Sequence, residues 1–138
     1  MSVGLNVTRG DTPQAQLNAF LDAARFKNYD YMNGVIKDAL LRDDFSTVLQ
    51  MTESLAANGL ENSYCRLCRA AAYLNLGDEV KFRELVPLMT EPRGYHQPSD
   101  LYELSQQVDV WDDTEMRVRF FEPLSKKVNE QLFNGYNQ

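Results

Sequence analysis

The 138-residue sequence is poor in two residue types that commonly build catalytic and metal centres, since it contains one histidine and two cysteines. A structural zinc site takes four ligands, and an activated nucleophile needs a base beside it. There is no second pair of cysteines, and no phosphate-binding glycine loop, H-E-x-x-H or G-x-S-x-G pattern occurs. We therefore expect no enzymatic activity, no bound metal and no cofactor.

The sequence also lacks basic clusters and long apolar runs. Its 14 Lys and Arg against 20 Asp and Glu give a net charge of −6, which disfavours binding to nucleic acid or to an anionic membrane surface. No apolar run approaches the roughly 20 residues that span a bilayer. The first ten residues hold one cation and no apolar stretch, unlike a secretory signal. We expect a cytoplasmic protein that contacts neither nucleic acid nor membrane.

What the sequence does contain is an ordinary globular composition, with 43% hydrophobic and 25% charged residues. Its length suits one domain with a real core. The apolar residues recur at helical spacing, as in Leu17, Phe20, Leu21 and Ala24. Alternating patterns of strand type are nearly absent. The expected fold class is all-α, with a flexible arm over residues 1–11 and one helical domain of about seven helices over residues 12–138.

Polar and small residues mark where these helices begin and end. Asp44, Asp78 and Ser99 precede apolar stripes and are typical N-caps, and Asp112 with Glu115 forms a capping-box pattern. Glycine ends the third and fourth predicted helices, at Asn58-Gly59 and at Gly77. Pro123 is expected to kink or split the last helix.

Two of the helical pairs repeat with a period of 34 residues. A shift by this period places Leu40 on Leu74 and Asp44 on Asp78, and helix–turn–helix units of this length are typical of tetratricopeptide repeats. We predict repeat-like units at about 30–57 and 63–90 and a degenerate third unit at 99–124. The second unit fits best, while Asp43 of the first stands where the turn favours glycine.

The two cysteines and the histidine have simple structural interpretations. Cys65 and Cys68 are spaced as CxxC, but the pair falls inside a helix, whereas a thioredoxin-type motif lies between a strand and a helix. We expect two reduced, buried thiols that pack as small hydrophobic groups. His96 lies in a loop rich in proline and glycine, and we expect it to be exposed.

The fourth helix, from about Ser63 to Leu76, is apolar on nearly all sides, so it is either buried on more than one side or meets a partner. With Gly77 as the turn residue, the positions on its concave side can be assigned. These groove positions are Tyr64, Leu67, Ala71, Leu74 and Asn75. Such a groove suits an amphipathic helix of another protein; alternatively, the sixth and seventh helices of the chain itself fold back and cover it.

A resemblance gives this groove a specific interpretation. The residues that carry it are Leu41-Arg42-Asp43-Asp44-Phe45, Val48-Leu49-Gln50, Leu55-Ala56, Leu60-Glu61 and Tyr64 through Leu67-Cys68. Over about Val35 to Met89 the sequence resembles the tetratricopeptide-like chaperones of needle subunits in bacterial type III secretion. The resemblance implies two partners, a needle subunit and a small co-chaperone. It also implies that a helix of the needle subunit faces the groove positions 64, 67, 71 and 74. The segment from Glu91 to Gln138 exceeds what such a chaperone usually has.

The sequence therefore leads to two alternative hypotheses of function. The first is a chaperone that keeps a secreted or polymerising partner soluble in the cytoplasm and takes part in protein transport. The second is a non-enzymatic helical-repeat scaffold or adaptor that is a stable part of a larger assembly and has a closed groove.

Overall fold

Helices account for the regular structure of the chain. The computed structural model describes residues 13–92, 99–106 and 113–136, and over these ranges it contains helices and no strand. The predicted all-α helical-repeat class is confirmed. The first five helices are α1 (Pro13–Arg25), α2 (Tyr29–Leu41), α3 (Phe45–Ala57), α4 (Ser63–Leu76) and α5 (Glu79–Thr90). The predicted arm, residues 1–11, lies outside the described residues.

The later helices are less regular. They are α6 (Asp100–Gln106), α7 (Thr114–Met116), a π-helical turn (Arg117–Phe121) and α8 (Glu122–Tyr136). The last three follow one another without a break, and we call residues 113–136 the C-terminal segment. No described helix has the length and hydrophobicity that crossing a membrane requires.

Side-chain caps explain where the central helices begin. The carboxylates of Asp44 and Asp78 accept hydrogen bonds from the backbone N–H groups of Thr47 and Lys81, which satisfies donors that have no partner within the helix. Ser99 does the same for α6, where its Oγ accepts from an N–H at 3.3 Å. These three predicted caps are confirmed.

The cap of the C-terminal segment differs from the prediction by one residue. Asp113, rather than Asp112, is the N-cap, and its carboxylate accepts a hydrogen bond from the N–H of Met116. Adjacent aspartates carry the same capping signal, so the pattern alone does not separate them. Asp112 lies outside the described residues.

Left-handed residues follow α2, α3 and α4, three of the four helices of the two repeat-like units. Gly77 ends α4 with φ 76°, and Gly59 follows α3 with φ 70°; glycine adopts this conformation without the steric cost of a Cβ atom. Asp43 takes the same conformation after α2, with φ 59°. The first unit therefore uses the same turn geometry as the second, although an aspartate stands at the glycine position.

The π-helical turn lies directly before Pro123, the residue predicted to interrupt the last helix. A proline inside a helix has no N–H to donate and crowds the carbonyl four residues earlier. Here the N–H of Glu122 bonds to the carbonyl of Arg117, five residues back, and the helix continues. The wider turn accommodates two consecutive phenylalanines on the inner side, since Phe120 and Phe121 are both buried.

Helix α4 lies at the centre of the molecule. It packs against α2, α3, α5 and α6, and also against the π-helical turn and α8. The largest fully buried side chains come from the π-helical turn and from every helix except α6: Phe20, Met32, Ile36, Leu40, Val48, Leu55, Leu67, Phe82, Met89, Met116, Phe121 and Leu124.

The helical pairs α2–α3 and α4–α5 correspond to the two predicted repeat-like units. Of the predicted third unit, α6 packs on α4 and α5, and residues 107–112 lie outside the described residues. The C-terminal segment contacts the first unit, because Phe120 packs on Phe45 with ring centroids 6.5 Å apart. Repeats of a solenoid contact only their neighbours. The C-terminal segment thus folds back over α4 instead of lengthening the stack.

Candidate partner-binding face

Helix α4 is enclosed because its sequence leaves few positions suited to water. Asn62 caps its N-terminus and Gly77 ends it, so the helix has the limits that the local chemistry predicts. Nine of its 14 residues are buried. A helix that is apolar all round requires this degree of enclosure, and α4 is buried on more than one side.

The five predicted groove positions differ in how much of each side chain reaches solvent. Leu67 and Ala71 are 1% and 0% exposed, Tyr64 and Leu74 are partly buried, and Asn75 is exposed. The amide of Asn75 donates to the carbonyl oxygen of Ala71 at 2.8 Å. We call these five positions the groove face. Their role in binding a partner stays a prediction.

The chain's own C-terminal segment covers part of the groove face. The ring of Tyr64 meets the edge of Phe121 in a T-shaped contact, with centroids 5.9 Å apart and planes at 75°. The inward side of the segment is apolar, and Leu124 and Val128 are fully buried with Phe121. The sequence left open whether a partner's helix or the chain's own last helices cover the groove. The arrangement of the C-terminal segment matches the second alternative.

Charged contacts lie around this apolar contact. At one end of the segment, Lys37 pairs with Asp113. At the other, Lys127 lies 3.7 Å from Glu79 of α5. All four side chains are between 25% and 56% exposed, so water reaches each pair.

Arg119 makes the most extensive of these contacts. Its guanidinium donates to the carbonyl oxygen of Leu41 at 3.1 Å and to Oδ1 of Asp43 at 2.7 Å. It also donates to Glu115 within its own segment and lies 4.9 Å above the ring centroid of Phe120. Arg119 therefore ties the π-helical turn to the turn between α2 and α3, where the carbonyl end of α2 favours a cation.

The groove face is open at its other end. A small cleft, partly open to solvent, lies between α4, α5 and Lys127 of the C-terminal segment, and Leu74, Tyr73 and Phe82 form part of its wall. Of the five groove positions, Leu74 lines this cleft.

The buried thiols of α4 are not poised for chemistry. Cys65 and Cys68 are both free and fully buried. Burial raises the pKa of Cys65 to about 12, and burial raises the pKa of Cys68 well above its usual range. A thiol rather than a thiolate is thus present at neutral pH, and thiols are poor nucleophiles and poor metal ligands. No cluster suited to a metal ion occurs among the described residues.

Burial likewise raises the pKa of Tyr64, well above that of a tyrosine in water, and the nearby Cys68 adds to the effect. The phenol stays neutral, so the groove face presents an apolar surface with no charge of its own. His96, the other residue considered for chemistry, lies outside the described residues.

The sequence did not reveal a buried network of charges at the N-terminal end of α4. Arg66 donates to both carboxylate oxygens of Asp100 at 3.0 and 2.8 Å, and also to Glu61 at 3.1 Å. Arg69 binds both oxygens of Glu61 at 2.6 and 2.8 Å. Asp100 is 0% exposed. The network fixes α6 and the α3–α4 connection onto α4.

A signal for this network was present in the sequence. Arg66 and Arg69 are three residues apart in a helix that is otherwise apolar, and a buried guanidinium needs a counterion. Glu61, directly before the helix, was a natural partner. Asp100 was not, because nothing in the pattern shows that a helix 34 residues away packs against this end of α4.

Comparison of the chain with protein families, with curated proteins and with solved structures gives no match. The assignment of function therefore depends on the geometry of the groove face and of the segment that covers it.

Proposed function

We propose that the protein is a non-enzymatic helical-repeat module that binds an amphipathic helix of another protein against α4. One observation carries the proposal: the groove face already holds a helix of that chemistry, which the chain itself supplies. Phe121, Leu124 and Val128 lie on one side of this helix and are buried, while its outward positions include exposed Lys126 and Glu130. A partner helix with the same pattern is complementary to the same face.

In its specific form the proposal is a chaperone of the type III secretion needle-subunit kind, acting in the cytoplasm and assisted by a small co-chaperone. The resemblance over about Val35 to Met89 suggests this partner. In the family that the sequence resembles, the chaperone cradles the C-terminal helix of the needle subunit and so prevents premature polymerisation in the cytosol.

The covered state of the groove face favours a second candidate function, the scaffold or adaptor. If the C-terminal segment never leaves α4, the groove face is part of the core, and partners bind elsewhere on the molecule. The contact between Tyr64 and Phe121 is the specific observation that supports this alternative.

Mutation of a groove position that lies outside the core distinguishes the two candidate functions. A charge at Leu67, which is 1% exposed, would unfold the protein, so Leu67 is unsuitable. Leu74 is partly buried at the edge of the open cleft, and Leu74→Glu places a charge in the partner's path with a smaller effect on folding. Leu88, 46% exposed on α5, provides the matched control Leu88→Glu.

The wild-type chain and both variants are expressed with an affinity tag in the native host, and the co-purified proteins are quantified by mass spectrometry. We expect a helical partner at a 1:1 ratio with wild type and Leu88→Glu and at least ten-fold less with Leu74→Glu, all three having the same circular dichroism. The captured partner should then aggregate alone and stay soluble with the wild-type chain. Equal recovery with Leu74→Glu would contradict the groove assignment and favour the scaffold.

A further inference from the structure

The C-terminal segment and α6 are attached to α4 by different kinds of contact. Buried charges hold α6, since Asp100 is inaccessible and the side chain of Arg66 is 10% exposed. Separation of α6 would break the buried two-point pair between Asp100 and Arg66, which is costly. The charged contacts described for the C-terminal segment lie at the rim, as in the pair of Arg119 and Asp43, 31% and 64% exposed.

This difference determines which element can leave α4. When a rim pair separates, water solvates both charges at little cost. The interior contact of the segment is apolar apart from Gln131, whose buried Oε1 meets no donor among the described residues. A buried acceptor without a donor weakens the packing around it. The C-terminal segment is thus attached by apolar contacts and by charge pairs that water can reach. Helix α6, in contrast, is attached through a buried charge pair.

We propose that the C-terminal segment is an autoinhibitory lid that competes with the partner helix for the groove face, and that Arg119 is its latch. The inference rests on the proposed function, because it concerns regulation of the same face. Arg119 suits this role because it joins the lid to the turn after α2 through Leu41 and Asp43, outside the groove face. Its removal loosens the lid and leaves the binding surface intact.

The lid's own sequence supplies a probe that needs no identified partner. A fluorescein-labelled peptide with residues 113–132 of this chain is titrated, with fluorescence anisotropy as the readout, against full-length wild type, Arg119→Ala and the control Arg25→Ala. Arg25 pairs with Asp22 on its own helix at 3.0 Å and 52% exposure, so its loss changes the net charge equally without touching the lid. We expect the peptide to bind Arg119→Ala about five-fold more tightly than wild type, and Arg25→Ala to match wild type.

Hydrogen exchange measured by mass spectrometry gives a second readout. In Arg119→Ala the amides of residues 113–132 should exchange about five-fold faster, while those of α3 and α5 are unchanged, because only the lid opens. Asp43→Asn weakens the same contact from the opposite side, because the amide oxygen still accepts but the negative charge is lost, and asparagine tolerates the left-handed conformation. It should reproduce the faster exchange, and it serves as the test if Arg119→Ala fails to fold. The peptide also carries Arg119 and meets the same Asp43, so Asp43→Asn weakens peptide and lid alike and should leave the peptide affinity unchanged.

Equal peptide affinity for wild type and Arg119→Ala would overturn the lid. Faster exchange spread evenly over all helices would also overturn it, since that result indicates a purely structural arginine. The partner experiment is independent of this result. If the latch variants open the lid but capture no host protein, the proposed function is wrong, while the inference of a lid still holds. If a partner binds wild type and Arg119→Ala equally, the latch does not regulate it and the inference fails.

Discussion

The charge network around Arg66 predicts a large and specific loss of stability in Asp100→Asn. Among the described residues, the network contains two arginines and two carboxylates, Arg66 and Arg69 with Glu61 and Asp100, whose charges balance. The substitution leaves a net charge of about +1 among side chains that are at most 13% exposed. Breaking a buried pair from one side costs about 3–5 kcal/mol. Because the amide oxygen still accepts from Arg66, we expect about 3 kcal/mol.

Urea unfolding followed by circular dichroism measures this loss. With a slope of about 2 kcal/mol per M for a domain of this size, the midpoint should fall by about 1.5 M. Salt screens buried pairs weakly, so the loss should persist in 0.5 M NaCl. Asp22→Asn is the matched control, since Asp22 is 65% exposed in its pair with Arg25, and it should change stability by at most about 0.5 kcal/mol.

A double-mutant cycle tests whether the charge is the cause. Arg66→Met combined with Asp100→Asn leaves one arginine and one carboxylate, a neutral remainder, so the double variant should be less destabilised than the sum of the two single variants by at least about 1 kcal/mol. Two results would refute the reasoning. One is a loss below about 1 kcal/mol for Asp100→Asn, and the other is strict additivity in the cycle.

Three further predictions concern other parts of the fold. Cys65 and Cys68 should not react with Ellman's reagent at pH 8 in native protein and should both react in 6 M guanidinium, because burial holds them as thiols; reaction without denaturant would contradict this. The hydrogen bond from Lys37 lowers the pKa of Asp113 below its ordinary 3.8. The resulting stabilisation is present above that value and is lost as pH falls through the lowered pKa, so Lys37→Met should flatten the thermal-stability profile below about pH 4, and an unaltered profile would contradict the pairing. Gly77→Ala, at φ 76°, should lower the unfolding free energy by about 1 kcal/mol in urea, and a neutral result would show that the turn relaxes.

The local features of the fold could be predicted from the sequence. The fourth helix was predicted from Ser63 to about Leu76, and α4 has these limits. Its apolar stripe, its glycine stop and the caps at Asp44 and Asp78 depend on interactions within four residues. Residues this close in sequence interact whatever the tertiary structure is, so such features can be predicted without it.

The long-range features could not be predicted. Arg119 bonds to Leu41 across 78 positions, and no periodicity indicates which distant residues meet. The same holds for the covering of the groove face. An apolar stripe in the last helix predicts that this side is buried, but not whether it packs on α4 of the same chain or on another protein.

If the C-terminal segment is the proposed lid, a partner helix competes with a segment of the same chain, and this sets a minimum for the partner's affinity. An attached segment acts at an effective concentration of about 1 mM. A partner at about 1 μM therefore needs about 1,000-fold stronger binding, or about 4 kcal/mol. Roughly 160 Å² of additional apolar burial supplies this at about 25 cal/mol per Å², which is about the area of one aromatic side chain. The cleft beside Leu74 and Phe82 is small and has room for about one water molecule, so the additional contact must be made on the surface around it. A helix that only reproduces the contacts of the C-terminal segment therefore cannot displace it, whereas a helix that adds about the contact area of one aromatic side chain can.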